Sequence, residues 1–463
     1  DTAIITLKAD AAVAAAEECA AMGAAFIIIV AGGFGEAGAE GENFEKELKN
    51  LAARYDSRIL GPNSLGVFVP SSNLDTIFVE HGDKALSPGG KIAFISQSGS
   101  VGVESLGLAS NTGFGMRAFI GTGNKTDLSE MDFLSWFHED EETSTIALYL
   151  ESIEGGRMFL NEAGNISGTK PIVALKAGRT AAGAAAAGSH TGRLAGSDSV
   201  INGAFKQSGI QRAWDDEELC DGAKVLSMLK PARGGRTAVI TPAGGFGVMC
   251  ADYIDTRGSR ADLEMAKLSP ETEKRLRECT FPFASCSNPV DFTASGNDQM
   301  YIDIIKAVLA DEGVDIVICI TLFSPPGITE ALIPMLAKTI RTADKPVIVF
   351  TEYGPYTDKV LLDFYKRGVA GFSSISRVVR AARFLVERGY ILDKIAVCRE
   401  DGPAGDACRD DDNGFGSLHS VFKQWRQKLK TPGKPDEFEA KKLLREAGLA
   451  VPAETVLRPG FPE

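Results

Sequence analysis

The sequence predicts an α/β protein of three consecutive doubly wound domains, each built on a parallel sheet. Short apolar runs typical of buried strands alternate with helical patterns along most of the 463 residues. Alternation of this kind with short connections is typical of parallel sheets that carry helices on both faces. Several of these runs are followed by Gly- or Ser-rich turns that open a helix, and this pattern recurs in successive units. The length also fits about three domains of Rossmann-like or flavodoxin-like size.

The first predicted domain, residues 1–86, is Rossmann-like, with strands over 2–7, 25–30 and 58–60 and helices between them. Two turns end strands of this sheet, and ligands of such sheets bind at the carboxyl ends of the strands. The candidate ligand-binding residues in these turns are Ala31, Gly32, Gly33, Gly61, Pro62, Asn63 and Ser64. No opening strand with the usual phosphate fingerprint precedes them, so we expect the chain to lack the first half of this domain.

The second predicted domain, residues 87–231, carries a Ser- and Gly-rich turn after its first strand. Backbone N–H groups at a helix start bind anions, so this turn predicts a phosphate site, although an ordinary N-cap explains a single such turn equally well. The candidate phosphate-binding residues are Ser96, Gln97, Ser98 and Gly99. Glu151 follows the predicted strand 145–150, and His190 comes after the strand 171–176. Because all of them follow strand ends of one sheet, we expect them to converge at one edge.

His190 is one of four histidines and lies in a run of Gly, Ala and Ser between residues 178 and 197. The run has few large apolar side chains, so we expect a mobile surface loop or a loop ordered by ligands. A lone histidine in such a run is usually incidental. Imidazole, however, titrates near neutral pH and is a competent nucleophile toward phosphorus. His190 is therefore a candidate phosphoryl carrier that visits two sites.

The charged residues around His190 have two interpretations each. A hydrogen bond between Glu151 and one ring nitrogen would leave the other nitrogen nucleophilic. Taken alone, Glu151 is more simply a strand-end carboxylate that caps a neighbouring helix, and its place near His190 favours the catalytic role. Lys176 and Arg179 either ease phosphate binding or only solvate the segment.

The third predicted domain, residues 232–399, is a second flavodoxin-like unit in which the run 238–248 repeats the strand, Gly-rich turn and helix of the second domain. Gly244 and Gly245 are candidate phosphate-binding residues, because two matching turns suggest two helix N-termini that face one phosphate. Residues 400–416 are acidic with Gly and Pro, so the segment 400–434 is predicted to be a linker. Residues 435–463 open with a capped amphipathic helix, which predicts the start of a further domain.

Composition excludes several classes of function. The net charge of −13 argues against a nucleic-acid or anionic-membrane surface. No signal peptide and no apolar run long enough to span a bilayer are visible, so we expect a cytoplasmic protein without membrane contact. The eight cysteines are scattered without CxxC pairs, and we expect neither a metal site nor a disulfide framework.

The motifs resemble one family when they are taken in order along the chain. They are Gly61-Pro62-Asn63-Ser64, Ser96-Gln97-Ser98-Gly99, Lys176-Ala177-Gly178-Arg179 with Ser189-His190-Thr191-Gly192, Gly244-Gly245 and Asn288-Pro289-Val290-Asp291. That order resembles the nucleoside-diphosphate-forming acyl-CoA synthetases, which include ADP-forming acetate–CoA ligase and are related to succinyl-CoA synthetase. The resemblance covers nearly the whole chain.

The resemblance implies a role for each domain. The first domain is expected to bind coenzyme A through its two turns, the second to carry a phosphohistidine at His190 oriented by Glu151, and the third to contribute the facing helix. ATP or ADP with Mg²⁺ is expected on an ATP-grasp domain, whose start would be residues 435–463. Two departures are visible: the family's N-terminal Gly-rich CoA fingerprint is missing, and Ser64 stands where a Cys often follows the Asn.

The implied activity is that of an acid–CoA ligase. It would interconvert acyl-CoA, ADP or GDP and phosphate with acid, CoA and ATP or GTP through an acyl phosphate and the phosphohistidine. The expected partners are a small carboxylic acid, CoA, phosphate, an ATP-grasp domain or subunit, and further copies of the chain in a homo-oligomer. Two alternatives stay open: a CoA-binding regulatory module of a protein acetyltransferase, and a non-catalytic CoA sensor. An intact His190 argues against the acetyltransferase module, since such modules no longer need the relay.

Overall fold

The computed structural model describes residues 1–80, 89–191, 196–256, 262–352, 354, 357–400 and 441–442. The chain divides into two compact units, Asp1–Ile391 and Leu392–Glu463, and the features below belong to the first, apart from the last residues of the final helix. The predicted linker and the predicted start of a further domain lie outside the described residues, apart from residues 400, 441 and 442. In the part of the chain that the structure describes, no helix has the length and apolar character needed to cross a membrane.

The first sheet is small and wholly parallel, with strand order β1-β2-β3. Its elements are β1 (Thr2–Ile5), α1 (Ala9–Ala21), β2 (Phe26–Ile29), α2 (Ala39–Tyr55) and β3 (Arg58–Leu60), with a short 3₁₀ helix at Gly35–Ala37. Helix α1 buries Ala12, Ala16 and Ala20, because residues four apart lie on one face of a helix. The strands follow the predicted apolar runs to within two residues at either end.

The second sheet has seven strands in the order β10-β9-β8-β6-β7-β4-β5. Its strands are β4 (Gly66–Val69), β5 (Leu74–Asp75), β6 (Ile92–Ser96), β7 (Met116–Gly121), β8 (Thr145–Leu150), β9 (Ile172–Lys176) and β10 (Ile210–Ala213). Its helices are α3 (Gly99–Thr112), α4 (Glu130–Glu139), α5 (Gly156–Ser167), α6 (Ala181–Thr191), α7 (Asp198–Ser208) and α8 (Asp216–Met228).

One edge of this sheet differs from the predicted parallel pattern. Strand β4 pairs antiparallel with β7 and with β5, so residues 66–75 join the second sheet although the sequence analysis assigned them to the first domain. The connection from β4 to β5 is a single turn of 3₁₀ helix, Pro70–Ser72. A connection this short permits only an antiparallel hairpin, whereas a parallel pair needs a long crossover.

The third sheet is parallel, with strand order β12-β11-β14-β15-β16 and β13 beside β11. Its strands are β11 (Arg236–Thr241), β12 (Glu264–Met265), β13 (Val290–Asp291), β14 (Ile316–Thr321), β15 (Val347–Thr351) and β16 (Gly371–Phe372). Its helices are α9 (Gly244–Asp255), α10 (Pro270–Cys279), α11 (Asp298–Leu309), α12 (Leu332–Arg341), α13 (Thr357–Lys366) and α14 (Ile375–Glu400). The predicted α/β class with mainly parallel sheets is confirmed.

The second and third sheets share one hydrophobic core, to which α3, α8, α9 and α14 contribute buried residues. Charged groups are buried in the same layer. Arg377 of α14 binds Asp221 of α8 with two hydrogen bonds of 2.8 and 2.6 Å. Lys224 of α8 donates to the Gly371 carbonyl at 2.8 Å and lies 4.8 Å from the centre of the Phe372 ring. These contacts tie the second domain to the third.

The segment that carries His190 forms helix α6, and the prediction of a loop there was wrong. Its small residues include a long run of alanine, which has the highest helix propensity of all residues. Thr180 begins the helix, because its hydroxyl accepts the Gly183 N–H at 3.0 Å and its carbonyl accepts the Ala184 N–H at 2.7 Å. The His190 side chain lies outside the described residues.

Candidate active site

The two Gly-rich turns of the first domain lie against each other at the carboxyl ends of its strands. The Asn63 N–H donates to the Ala31 carbonyl at 2.9 Å, and the Ser64 N–H donates to the Ile29 carbonyl at 3.2 Å. A Cβ at Gly32 would lie 3.5 Å from Asn63 Oδ1. The predicted CoA-binding residues of both turns, Ala31 to Gly33 and Gly61 to Ser64, therefore lie side by side at one end of the sheet.

Carboxylates of the first domain already occupy N–H groups of the first turn. Gly33 N–H donates to Glu36 Oε1 at 2.6 Å, and Gly35 N–H donates to Glu45 Oε1 at 3.0 Å. Burial acts to raise the pKa of Glu36, but hydrogen bonds from Asn124 and the turn N–H groups outweigh it and lower that pKa. These N–H groups therefore already bind carboxylates of the protein. The turn can contact a ligand, but these N–H groups are not free to bind its phosphate.

The predicted phosphate turn of the second domain begins beside the Asn63 turn. Ser64 Oγ donates to the Gly121 carbonyl at 2.5 Å, and a Cβ at Gly99 would lie 3.7 Å from Leu65. The start of α3 is thus adjacent to the predicted CoA turn. Ser98 caps this helix through its hydroxyl, which accepts the Val101 N–H at 3.5 Å.

The turn at the start of α9 is built like the turn at the start of α3. Ser96 Oγ donates to the Ser98 carbonyl at 2.7 Å, and Thr241 Oγ1 donates to the Ala243 carbonyl at 2.8 Å. The Ser96 hydroxyl also accepts the Ser98 N–H at 3.3 Å, and the Thr241 hydroxyl accepts the Ala243 N–H at 3.0 Å. The repeated sequence pattern therefore corresponds to a repeated hydrogen-bond pattern.

Gly244 and Gly245 lie at the start of α9, and Gly244 is adjacent to a carboxylate. A Cβ at Gly244 would lie 2.9 Å from Asp291 Oδ2, whereas a Cβ at Gly245 would meet open space. Asp291 Oδ1 accepts the N–H of Thr293, a β-branched residue with a φ of 63°. That the two helix starts face one phosphate stays a prediction.

Glu151 lies at the carboxyl end of β8, as predicted, and Gln97 holds its turn in place. Gln97 Oε1 accepts the N–H groups of Glu151 and Ser152 at 2.8 and 3.0 Å. Gln97 Nε2 donates to the Ser152 carbonyl at 2.9 Å. The Gln97 side chain thus joins the ends of β6 and β8, and its predicted role in binding phosphate stays a prediction. We call residues 151–152 the Glu151 turn.

Two buried lysines hold the same turn from other directions. Lys176 Nζ donates to the carbonyls of Glu151 and Ala177 at 2.8 and 2.7 Å. Lys125 Nζ donates to the Ser152 carbonyl at 3.1 Å and pairs with Glu130. The residues are only 4% and 5% exposed, so Lys176 does not serve to solvate the surface.

The Glu151 carboxylate has a hydrogen bond to Tyr149 of the same strand. Burial, followed by the charge of Glu151 and this hydrogen bond, raises the pKa of Tyr149 to about 12. The phenol therefore remains protonated over the physiological range and donates to the carboxylate. Sequence reasoning missed both Tyr149 and Lys125.

Arg179, between β9 and α6, stacks on Trp214 with its guanidinium 4.7 Å from the ring centre and donates to the Trp214 carbonyl at 3.2 Å. Arg212 lies over the same ring at 4.6 Å and pairs with Asp198 at the start of α7. Arg179 and Asp198 flank the His190 segment in sequence. The first stacks on Trp214 directly, and the second pairs with an arginine that stacks on the same ring.

One loop joins the turns of the first domain to the Glu151 turn. This loop, residues 122–127, donates two backbone hydrogen bonds to the Gly61 turn: Asn124 N–H to the Pro62 carbonyl at 2.9 Å, and Thr126 N–H to the Gly61 carbonyl at 3.1 Å. Asn124 Nδ2 donates to Glu36 and Glu45 at 2.6 and 2.8 Å. Its neighbour Lys125 reaches the Glu151 turn.

The helix that carries His190 contacts the first domain. Helix α6 lies beside the 3₁₀ helix Gly35–Ala37, which directly follows the first Gly-rich turn. Contact between the His190 ring and Glu151 remains a prediction. In the described part of the chain, no three His, Cys, Asp or Glu residues are grouped to hold a metal ion.

Two family models match most of the described chain. The succinyl-CoA ligase like flavodoxin domain matches residues 89–226, and the ligase-CoA domain matches residues 237–382. These segments cover the second sheet apart from β4 and β5, and most of the third sheet with its helices.

Known proteins with similar sequences include ADP-forming acetate–CoA ligases. It is 36% identical over 377 residues to the alpha subunit of ADP-forming acetate–CoA ligase II of Pyrococcus furiosus, with 80% of each chain covered. It is 34% identical over 401 residues to ADP-forming acetate–CoA ligase I of Archaeoglobus fulgidus, a match that spans 87% of this chain and 56% of that protein.

A solved structure shows the same architecture. Acetyl-coenzyme A synthetase 1 of Ca. Korarchaeum cryptofilum, in complex with phosphate and ADP, superposes with a TM-score of 0.76 at 32% identity, covering 86% of this chain and 84% of that one. The resemblance predicted from the motifs is confirmed. The chain belongs to the family of the ADP-forming acyl-CoA ligases, in the part that corresponds to their alpha subunits.

Proposed function

We propose that this chain performs the acyl and first phosphoryl steps of an ADP-forming acid–CoA ligase. The observation that supports this most directly is the Glu151 turn. Buried polar groups hold it beside the start of α3, and the 122–127 loop connects it to the predicted CoA turns. A carboxylate at a fixed position is suited to bind the His190 ring in one orientation.

The proposed chemistry is two successive transfers. Phosphate attacks the thioester carbonyl of acyl-CoA, so that an acyl phosphate forms and the CoA thiol leaves. A ring nitrogen of His190 then attacks phosphorus, and the free carboxylic acid leaves. Backbone N–H groups at the helix starts stabilise the phosphoryl oxygens, which is the main demand of in-line transfer.

Glu151 acts in this proposal by binding the second ring nitrogen. It fixes the ring tautomer and stabilises the positive charge that the ring carries while phosphate is bound. The nucleotide and Mg²⁺ belong to an ATP-grasp domain or subunit that receives the phosphoryl group. Similarity to acetate–CoA ligases supports a small carboxylic acid as substrate, although a relative from Nitrosopumilus maritimus is named for 4-hydroxybutyrate.

Labelling with radioactive phosphate tests the proposal. The chain is incubated with acetyl-CoA and labelled phosphate, and in parallel with labelled acetyl phosphate. We expect an acid-labile, alkali-stable label on the parent chain and none on His190→Ala, because a phosphoramidate has those stabilities. Label that survives His190→Ala would overturn the assignment, and a parent chain that binds CoA without labelling would favour the CoA sensor.

A further inference from the structure

The Glu151 turn uses cations where neutral donors would satisfy the same carbonyls. Lys176 Nζ lies 2.8 Å from the Glu151 carbonyl, and Lys125 Nζ lies 3.1 Å from the Ser152 carbonyl. Their side chains come from different elements, the end of β9 and the 122–127 loop. Successive carbonyls of one turn therefore each bind a separate buried ammonium group.

This arrangement is energetically expensive. Burying an ammonium group is unfavourable unless charges and hydrogen bonds compensate it. Lys125 also has a φ of 58°, in the left-handed region that side chains with a Cβ rarely adopt. Its ion pair with Glu130 is itself buried, with both side chains 2% exposed. Because this buried ion pair is unfavourable to form and lies beside a candidate site, it indicates that the positive charge has a function there.

The groups around Lys176 show where its charge acts. Burial lowers the pKa of Lys176, as do the positive charges of Arg212 and Lys125, while Asp198 and Glu151 act in the opposite direction. Of these two carboxylates, Glu151 belongs to the residue whose carbonyl Lys176 binds. The lysine thus contributes both a hydrogen bond to the turn and a positive field at its carboxylate.

We propose that Lys176 and Lys125 are positioning residues for the phosphoryl relay: they fix the Glu151 turn and supply buried positive charge beside the place where the phosphorylated imidazole meets Glu151. This inference rests on the proposed function. Neither lysine needs to touch phosphate. Their effect passes through the backbone of residues 151 and 152 and through the local field.

The chain offers a matched control at the other end of the same strand. Lys170 precedes β9 and donates to the carbonyls of Phe137 and Asp140 at 2.7 and 2.6 Å. Burial lowers its pKa as well. Lys170 therefore shares the chemistry of Lys176, two backbone carbonyls bound by one ammonium group, but lies at the opposite edge of the sheet.

The experiment compares Lys176→Met, Lys125→Met and Lys170→Met in two measurements. The first is the rate of His190 labelling by acetyl phosphate as its concentration is varied. We expect Lys176→Met and Lys125→Met to lower the maximal rate by about 10²-fold, the effect of a misplaced reacting group, with little change in the half-saturating concentration. Lys176→Arg should restore part of the rate, and Lys170→Met should keep it.

The second measurement is backbone hydrogen exchange, which needs no activity. Exchange at residues 151 and 152 should accelerate in Lys176→Met and Lys125→Met, whereas Lys170→Met should affect only residues near 137–140. Parental labelling rates and exchange in both site variants would overturn the inference. If the parent takes no label on His190 while exchange responds as expected, the proposed relay fails and the lysines hold the turn for another purpose, which overturns the positioning role.

Discussion

The side-chain oxygen of Gln97 accepts the backbone N–H of Glu151 at 2.8 Å. This bond joins the residue after β6 to the residue after β8, two neighbouring parallel strands. A direct hydrogen bond therefore ties the backbone of the candidate catalytic residue to the turn that begins α3.

Replacement of Gln97 should loosen this connection. Gln97→Leu removes hydrogen bonds to the Glu151 turn and leaves its N–H groups unsatisfied, so we expect a loss of about 1–3 kcal/mol in the free energy of unfolding and slower His190 labelling. Urea denaturation measures the first effect. The surface residue Gln299 is the control, because Gln299→Leu should change stability by less than about 0.5 kcal/mol. Equal effects of the two variants would contradict the role of Gln97.

Removal of the Glu151 charge should slow the relay without abolishing it. Glu151→Gln keeps the shape of the side chain and loses the carboxylate, so we expect labelling of His190 to fall by about 10²-fold, the low end for a positioned acid–base partner. Quench-flow with labelled acetyl phosphate measures the rate. Glu154→Gln, three residues along, should label at the parental rate. A Glu151→Gln chain that labels as fast as its parent would leave Glu151 as a helix-capping carboxylate.

The Asn63 turn should bind CoA. Asn63 has a φ of 56°, so Asn63→Gly removes the amide without straining the backbone. We expect calorimetry to show CoA affinity weakened by about 10-fold, a loss near 1.4 kcal/mol. Asn73 is a matched control with a φ of 52° on the exposed turn before β5, and Asn73→Gly should bind CoA as the parent does. Unchanged affinity in Asn63→Gly would move the CoA site elsewhere.

The starts of α3 and α9 should hold one phosphate between them. Both turns have the same hydrogen-bond pattern, and two helix N-termini stabilise an anion better than one. Crystals soaked in phosphate should show density between Ser98 and Gly244. Density at only one of the helix starts, with the other turned away, would show that the repeated pattern is structural.

Lys224 should make stability depend on pH. Burial lowers the pKa of Lys224 to about 7 from an ordinary 10.5, although Asp221 opposes the shift. Between these values the unfolded chain holds a proton that the folded chain lacks, so this lysine makes the free energy of unfolding rise with pH across that window. The destabilisation of the folded chain by this buried lysine is therefore largest below pH 7, and it disappears as the pH approaches the ordinary pKa.

Lys224→Met should remove this contribution. Urea denaturation at about pH 6, 8 and 10 measures the free energy of unfolding. The value for the variant relative to its parent should be highest at the lowest pH. The exposed Lys274→Met should follow the parent at each pH. A constant difference between Lys224→Met and the parent would show that the buried amine does not change its protonation on folding.

The sequence was sufficient for the strands because buried parallel strands are short apolar runs with turn residues at their ends. Strand β8 has the predicted bounds, 145–150, and Glu151 follows it as expected. Helix α6 was predicted as a loop because small residues were taken for a lack of core contacts, whereas alanine favours a helix without needing any.

The support of the site could not be predicted from sequence in the same way. Gln97 contacts Ser152 across 55 positions, a relationship fixed by the spatial order of strands rather than by local pattern. Lys176 ends an apolar strand, where a charged residue is usually exposed. One sequence signal was available for Lys176, because it directly follows the apolar run 172–175. The structure buries all five residues of β9, and a lysine inside such a strand must find acceptors.

The 122–127 loop has a consequence for both sites. Asn124 holds two carboxylates of the first domain, and the adjacent Lys125 holds the Glu151 turn. Because Asn124 and Lys125 share one peptide unit, consecutive residues of a single loop join the predicted CoA edge to the Glu151 turn. We therefore expect an insertion between them to disturb the contacts at both places together.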